Sequence, residues 1–339
     1  MSKAKKPVLA KLSDLQAGNY VDCFVQLAEK QRKTLTDGKP FITCKYRDAK
    51  RTVGAVPIWG DVPLFDQAQE WQVGQFFKVR ATYTEHEKYG PQLDVEQIRQ
   101  VEDRDRADGF SELDFVERSR HDPAEMFAEL EALVSGEVAD GPLRALTLNL
   151  LTTHADTLKT LPASTRHFYP FAGGWLEHTL SVARSCAWLA DRYAAQFPEL
   201  NPPLNRGLVI AAAVLHDIGR VRGVDLPPGQ PGHVNVPGEL FGHLFLGYDM
   251  IRTAASAVPD LDPELLNLLL HCVITPLRLP ERGASRFPCI PEALILHHAD
   301  ELDGKLEMHV RCLTRDTSDG PFTDRDPVLG RPLLKARKV

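Results

Sequence analysis

The apolar residues of this chain keep two different periods, and the single change from one to the other limits the folds open to it. Between residues 19 and 98 they alternate. Val21, Cys23, Val25 and Leu27 share one face of a strand, Ile42, Cys44 and Tyr46 another, and Phe77, Val79, Ala81 and Tyr83 a third, which is the two-residue repeat of half-buried β-strands. Asp37-Gly38 marks a turn, 53–59 is a further apolar run, 63–71 suits a short helix, and Lys88-Tyr89-Gly90-Pro91 turns the chain into a last strand near Leu93 to Ile98. Three strands, a short helix and two strands are the element order of an OB barrel. From Asp122-Pro123 the period changes to that of helices, with Met126, Phe127, Leu130, Leu133 and Val134 spaced along one face before Gly136. Further helices fit 142–154, 174–195, 206–217, 239–256, 262–274 and 291–309. The expected architecture is multidomain. An all-β OB-like barrel (1–102) precedes a charged linker (103–122), an all-α domain (123–313) and a loose tail (314–339) whose basic end, Lys335, Arg337 and Lys338, lies in solvent.

The bulk numbers exclude several classes. With 339 residues, 43% hydrophobic and 25% charged, the chain is of ordinary globular composition and long enough for two cores. No apolar run reaches the ~18 residues that span a bilayer, and the start lacks the apolar block of a secretory signal, so a cytoplasmic protein without a membrane partner is expected. The six cysteines form no CxxC pair and read as reduced thiols. Charge is uneven: residues 1–102 carry 16 Lys and Arg against 13 Asp and Glu, and the remainder 24 against 33. A mildly basic module joined to an acidic one suits binding in the first part and carboxylate chemistry in the second.

Several helices of the second part carry polar groups where apolar ones are expected. The run "AAAVLHDIGR" ends in His216-Asp217, His178 lies among Leu176, Leu180, Ala183 and Ala187, and Asp300 closes "ALILHHAD". His243 and His271 sit in similarly apolar stretches. An unpaired buried charge costs several kcal/mol. A lone buried histidine is most often a hydrogen-bonded core residue, but His178, His216, Asp217 and Asp300 together are best accommodated around a divalent cation. His167, His297, His298 and His309 read as surface or supporting groups.

The order "GGWLEHT" (His178), "AAVLHDIGR" (His216, Asp217) and "HHADELDGK" (Asp300) resembles the HD-domain metal-dependent phosphohydrolase superfamily. With a preceding barrel, the chain over about residues 15–310 resembles the YhaM-type 3′-to-5′ exoribonucleases, an OB fold joined to an HD domain. The resemblance implies that His243 and His271 support a second metal, with Asp217 as bridge. Three features depart from the family pattern: Cys272 replaces the second histidine of a pair, Phe168-Tyr169 stands where a His-His pair is usual, and Arg220 replaces the lysine of HDxGK.

This reading gives a metal-dependent phosphodiesterase acting as a 3′-to-5′ exonuclease on single-stranded RNA, with single-stranded DNA as a further substrate. Mn2+ is the expected ion, one or two per chain, with Mg2+, Fe2+ and Ni2+ compatible. The metal set is His178, His216, Asp217, His243, His271 and Asp300; Arg220 and Lys305 are candidate phosphate contacts beside Asp217, and Asp303 could support the ligands from behind. Phe41, Lys45, Lys78 and Arg80 on the outer faces of the barrel, with Phe24 and Phe76, are candidate contacts to unpaired bases and phosphates. Homo-oligomerisation is compatible with this scheme. The rivals are an HD hydrolase of small nucleotides or cyclic dinucleotides, and a non-catalytic single-strand-binding protein.

Overall fold

Strand β2 (Tyr20–Thr34) shows how alternation becomes a closed sheet. Its inward residues Val21, Cys23, Val25 and Leu27 are buried, and at 15 residues it is long enough to serve two neighbours. Its first half pairs with β6 (Phe76–His86) and its second half, from Gln26 on and with an irregularity between Leu27 and Glu29, with β3 (Pro40–Arg47). A computed structural model of the chain describes residues 7–86, 90–275 and 287–335. It divides into two compact units, Met1–Glu117 with Pro227–Gln230, and Arg118–Leu226 with Pro231–Val339.

In the first unit β1 (Val8–Leu9) adds to the edge of β2, β4 (Thr52–Ala55) and β5 (Ile58–Trp59) pair with β3, and α1 (Leu64–Glu70) precedes β6. Strand β7 (Gly90–Gln100) runs antiparallel to β6 and parallel to β4, which closes the ring β2-β6-β7-β4-β3-β2. A five-stranded barrel with a helix between its third and fourth main strands is OB-like. Helix α1 buries Phe65 and Ala68, and the Lys30 ammonium donates to the carbonyls of Ala68 and Gln69 at its C-terminal end, where the helix dipole favours a cation. The hairpin tip predicted at Asp37-Gly38 is present, with Gly38 at φ +86 and Asp37 accepting the Lys39 N–H. The Lys88-Tyr89 part of the other predicted turn lies outside the described residues.

Two boundaries differ from the sequence expectation. The presumed linker 103–122 belongs to the first unit as far as Glu117: Phe110 and Phe115 are buried, and their rings pack on Phe24 and Phe76 at 4.9–5.3 Å. The charged residues around them hid this, since two isolated aromatics make no period. The tail is likewise built rather than loose as far as Lys335. Asp316 accepts from Ser318, from the Asp324 N–H and from Lys335, Thr323 is buried, and Phe322 bridges to Leu334. Lys335 is therefore ion-paired; Arg337 and Lys338 lie outside the described residues.

Asp105, also in the presumed linker, is fully buried. It accepts two bonds from Arg99 (2.6 and 2.7 Å), one from Lys78 (3.4 Å) and one from the Glu102 N–H (2.9 Å). The Arg99 bonds hold its carboxyl well below the usual carboxylate range despite the opposing effect of burial. A lowered folded-state value contributes stability above the unfolded value of about 3.9, lost as pH falls through that range toward the folded value. Asp105→Ala is expected to cost about 2 kcal/mol at pH 7. Denaturant unfolding followed by tryptophan fluorescence should show the gap to the parent closing below about pH 4.

The second unit is helical: α2 (Pro123–Glu137), α3 (Gly141–Thr153), α4 (Ala155–Leu158), α5 (Gly174–Gln196), α6 (Arg206–Leu215), α7 (Arg220–Gly223), α8 (Val236–Ala255), α9 (Pro263–Ile274) and α10 (Pro291–Arg315), with a two-stranded ribbon of β8 (Val224–Asp225) and β9 (His233–Val234). Helix starts follow local chemistry. Asp122, Asn205, Asn235 and Asp262 each accept a backbone N–H of the first turn. Helix α6 is the centre of the core, every residue from Leu208 to Leu215 being buried, and α2, α3, α5, α9 and α10 pack on it. Among the described residues no helix is long and apolar enough to cross a membrane.

Candidate metal centre

The apolar run of α6 stops where its core ends, and the next two residues turn His216 and Asp217 into a buried polar cluster. His216 is 1% exposed, Asp217 3% and His178, from the middle of α5, 0%. His178 Nε2 lies 3.3 Å from His216 Nε2 and 3.2 Å from Asp300 Oδ1 of α10. His216 Nε2 is 3.7 Å from Asp300 Oδ1 and 3.9 Å from Asp217 Oδ2. The four residues predicted from the sequence thus meet, although they are distributed over 123 positions of the chain.

The neighbouring backbone fixes this turn. The Trp175 indole N–H donates to the Asp217 carbonyl at 3.2 Å, tying α5 to it. Gly219 has helical φ of −63°, so it does not serve as a left-handed helix end. It serves close approach: a Cβ there would fall 2.0 Å from the His243 carbonyl oxygen and 2.4 Å from the Gly247 nitrogen. Helix α8 can lie this near only because the residue has no side chain. Gly242, at φ +72, breaks α8 beside His243, whose Nε2 reaches Asp217 Oδ1 at 3.2 Å.

Charge in the cluster is arranged for a cation. Burial pushes the His178 pKa down, but the Asp300 and Asp303 carboxylates outweigh it and raise the value to about 9. Burial would raise Asp217, yet Arg220, His243 and His216 hold it well below the usual range; burial would also raise Asp300, but His178 and His216 lower it. Burial and the Arg220 charge lower His243. These residues fit a divalent metal. Two nitrogen ligands about 2.1 Å from one ion, at the angles usual in such sites, are about 3.0–3.4 Å apart, and the two Nε2 atoms are separated by such a distance. His216 Nδ1 donates to the Ala213 carbonyl at 2.7 Å, which leaves its Nε2 for the centre.

The other candidates fare differently. Arg220 donates through Nε to Asp217 Oδ2 at 2.7 Å, and its guanidinium lies 5.9 Å from the Phe168 ring centroid. Lys305 is exposed and pairs with Glu301 at 2.8 Å. The Nε2 of His271 accepts the Cys289 N–H at 2.9 Å, so that nitrogen has another partner than an ion beside Asp217. Cys272 is part of the apolar core, its thiol pushed up by burial. His297, read from the sequence as a surface or supporting group, is buried, and with His298 and Glu301 forms a second group of close ligand atoms. On the barrel, Lys78 is ion-paired to Asp105 and Asp108, Arg80 is bidentate on Asp22, Lys45 pairs with Glu29 and Phe41 packs on Trp59. Phe168 and Tyr169, which the sequence marks only as a departure from the family pattern, pack their rings against His178 at 4.9 and 5.6 Å. Sequence reasoning missed Ser181, which lies three residues beyond His178 on α5. Helical spacing from His178 is the one signal that could have found Ser181.

Comparison with known proteins bears on this arrangement. The HD domain family matches residues 175–305, a span that begins one residue after the start of α5 and contains His178, His216, Asp217, His243 and Asp300. Residues 175–305 are an HD domain. The chain is also 28% identical over 315 residues, 93% of its length and 94% of the relative's, to the 3′-5′ exoribonuclease YhaM of Listeria monocytogenes serotype 4b strain CLIP80459 and to that of serovar 1/2a strain EGD-e. Among solved structures, the second OB-fold domain of replication protein A from Methanococcus maripaludis matches 28% of this chain and 96% of its own at 16% identity and TM-score 0.22. A small single-stranded DNA-binding protein from Streptomyces coelicolor matches 26% and 96%, at 14% identity and TM-score 0.21. The OB-like assignment rests on the strand order of the barrel itself, and the HD domain supplies the metal-ligand cluster.

Proposed function

We propose that this chain is a divalent-metal-dependent exonuclease that shortens single-stranded RNA from its 3′ end, with single-stranded DNA as a second substrate. The chain is a hydrolase, and the observation that carries the finer reading is the buried meeting of His178, His216, Asp217 and Asp300 in one cluster of ligand atoms. Whole-length likeness to exoribonucleases supports RNA as the polymer. Mn2+ suits the mixed histidine and carboxylate donors.

A bound divalent ion supplies Lewis acidity toward the phosphodiester and activates water for attack. His178, His216, Asp217 and Asp300 would hold it. Asp217 has its two oxygens on different partners, Oδ1 toward His243 and Oδ2 toward Arg220, so it couples the ligand set to both groups. Arg220, anchored through Nε, presents the rest of its guanidinium as a fixed donor fork for a phosphate oxygen. Lys305, paired with Glu301, adds little net charge there.

The barrel would hold the strand. Lys78 and Arg80 are neutralised by carboxylates, so their net pull on phosphate is small. The better-placed positive charge is on the β2–β3 hairpin, where Arg32, Lys33 and Lys39 are exposed, together with Phe41 on the partly exposed Trp59 and with Lys45, whose exposed pair with Glu29 contributes little. Lys33→Glu with Lys39→Glu is expected to raise the KM for single-stranded RNA several-fold at low salt and leave kcat within about twofold. An unchanged KM would remove the hairpin from the binding surface. Chelator-treated protein should be inert on single-stranded RNA and regain activity with Mn2+. Turnover of mononucleotides or cyclic dinucleotides alone would favour the small-substrate reading, and strand binding without any hydrolysis the non-catalytic one.

A further inference from the structure

The two histidines at the centre are held in different ways. His216 is oriented by its own helix, through the Ala213 carbonyl, and needs no other side chain. His178 has no such local partner. Its Nδ1 lies 2.7 Å from Asp303 Oδ2 of α10, one turn beyond Asp300, and the other oxygen of Asp303 accepts from the Ser181 hydroxyl of α5. The Tyr169 ring packs on the same imidazole, its centroid 5.6 Å from that of His178.

The sequence builds this backing step by step. Tyr169 is a non-glycine residue at φ +42 whose carbonyl accepts from Ala163 and Phe171. It can lie there because Gly174 has no Cβ; one would fall 2.2 Å from the Tyr169 oxygen. Gly304, beside Asp303, faces Phe168 at a distance where a Cβ would be tight, at 3.2 Å. The segment before α5 and the middle of α10 are thereby brought to the same imidazole.

We infer that Asp303 is the positioning residue of the centre: it holds the proton of His178 on Nδ1 and presents Nε2 to the ion, with Ser181 fixing the carboxylate in turn. Carboxylates behind ligand histidines typically change metal affinity 10–100-fold. The inference rests on the metal reading above. It assigns a role to the second aspartate of "DELD" separate from that of Asp300.

The test is Mn2+ binding to chelator-treated full-length protein, read from the electron paramagnetic resonance signal of free Mn2+, which needs no substrate. Asp303→Ala is expected to weaken binding about 10–100-fold, and Asp303→Asn, whose Oδ1 still accepts the Nδ1–H, to recover most of that loss. Ser181→Ala should weaken it by about threefold or more, and it decides the matter if Asp303→Ala does not fold. Parent-like affinity in Asp303→Ala, or in Ser181→Ala where that variant decides, would overturn the inference. So would an Asp303→Asn defect as large as that of Asp303→Ala, since charge rather than positioning would then be responsible. If the folded parent takes up no Mn2+, the metal reading falls and the inference with it; if the parent binds and Asp300→Ala does not, a null effect at Asp303 counts against positioning alone.

Discussion

Asp217→Ala is expected to lower hydrolysis of single-stranded RNA on the order of a thousandfold. Asp217 joins three groups of the site: His216 at 3.9 Å, His243 at 3.2 Å and Arg220 at 2.7 Å. Its loss removes one anionic ligand and leaves Arg220 without its anchor beside two histidines. Charge stabilisation by a bound ion contributes several kcal/mol to such a reaction, and about 4 kcal/mol corresponds to a factor of a thousand. The effect should fall on kcat more than on KM, because the barrel and its hairpin are untouched. Initial rates on end-labelled RNA across a range of Mn2+ concentrations check this. Recovery to within tenfold of the parent at high Mn2+ would mean that Asp217 is a replaceable ligand and not the hub of the site.

Gly219→Ala should be almost as damaging, although it adds only a methyl group. Its helical φ makes the backbone acceptable to alanine, so any effect comes from crowding. The added carbon would meet the His243 carbonyl at 2.0 Å and the Gly247 nitrogen at 2.4 Å, both backbone atoms, which cannot swing aside as a side chain can. Helix α8 must move, and His243 with it. Overpacking of this kind costs about 1–3 kcal/mol or more, and a displacement near 1 Å at a reacting group can cost on the order of a hundredfold in rate. Gly136→Ala on α2, with nothing within 4 Å of the added carbon, is the control and should be neutral or slightly stabilising. Melting temperature and RNA turnover of the two variants separate the cases.

Much of this was legible in the chain because apolar periodicity is local. Val21, Cys23, Val25 and Leu27 announce a strand without reference to anything distant, and a histidine amid the leucines and alanines of α5 is conspicuous for the same reason. What escaped is long-range or aperiodic. Phe110 and Phe115 stand among charges and fit no period, so the segment that covers Phe24 and Phe76 passed for a linker. Lys78 and Arg80 looked available for phosphate because their carboxylates lie 27 and 58 residues away. The close neighbours of Gly219 come from α8, which no local pattern reveals. The Cys289 N–H that engages His271 is 18 residues on. In the tail, Asp316 and Lys335 meet only after the chain turns back on itself.

The central claim is that this buried cluster hydrolyses a single strand stepwise from its 3′ end. A 5′-labelled single-stranded RNA incubated with the full chain and Mn2+, and sampled over time on a denaturing gel, tests it most directly. The account predicts a ladder of products shortening one nucleotide at a time, suppressed by chelator, by Asp217→Ala and by a blocked 3′ terminus. An oligomer that stays intact, or fragments that begin with internal cuts and ignore the 3′ block, would contradict it.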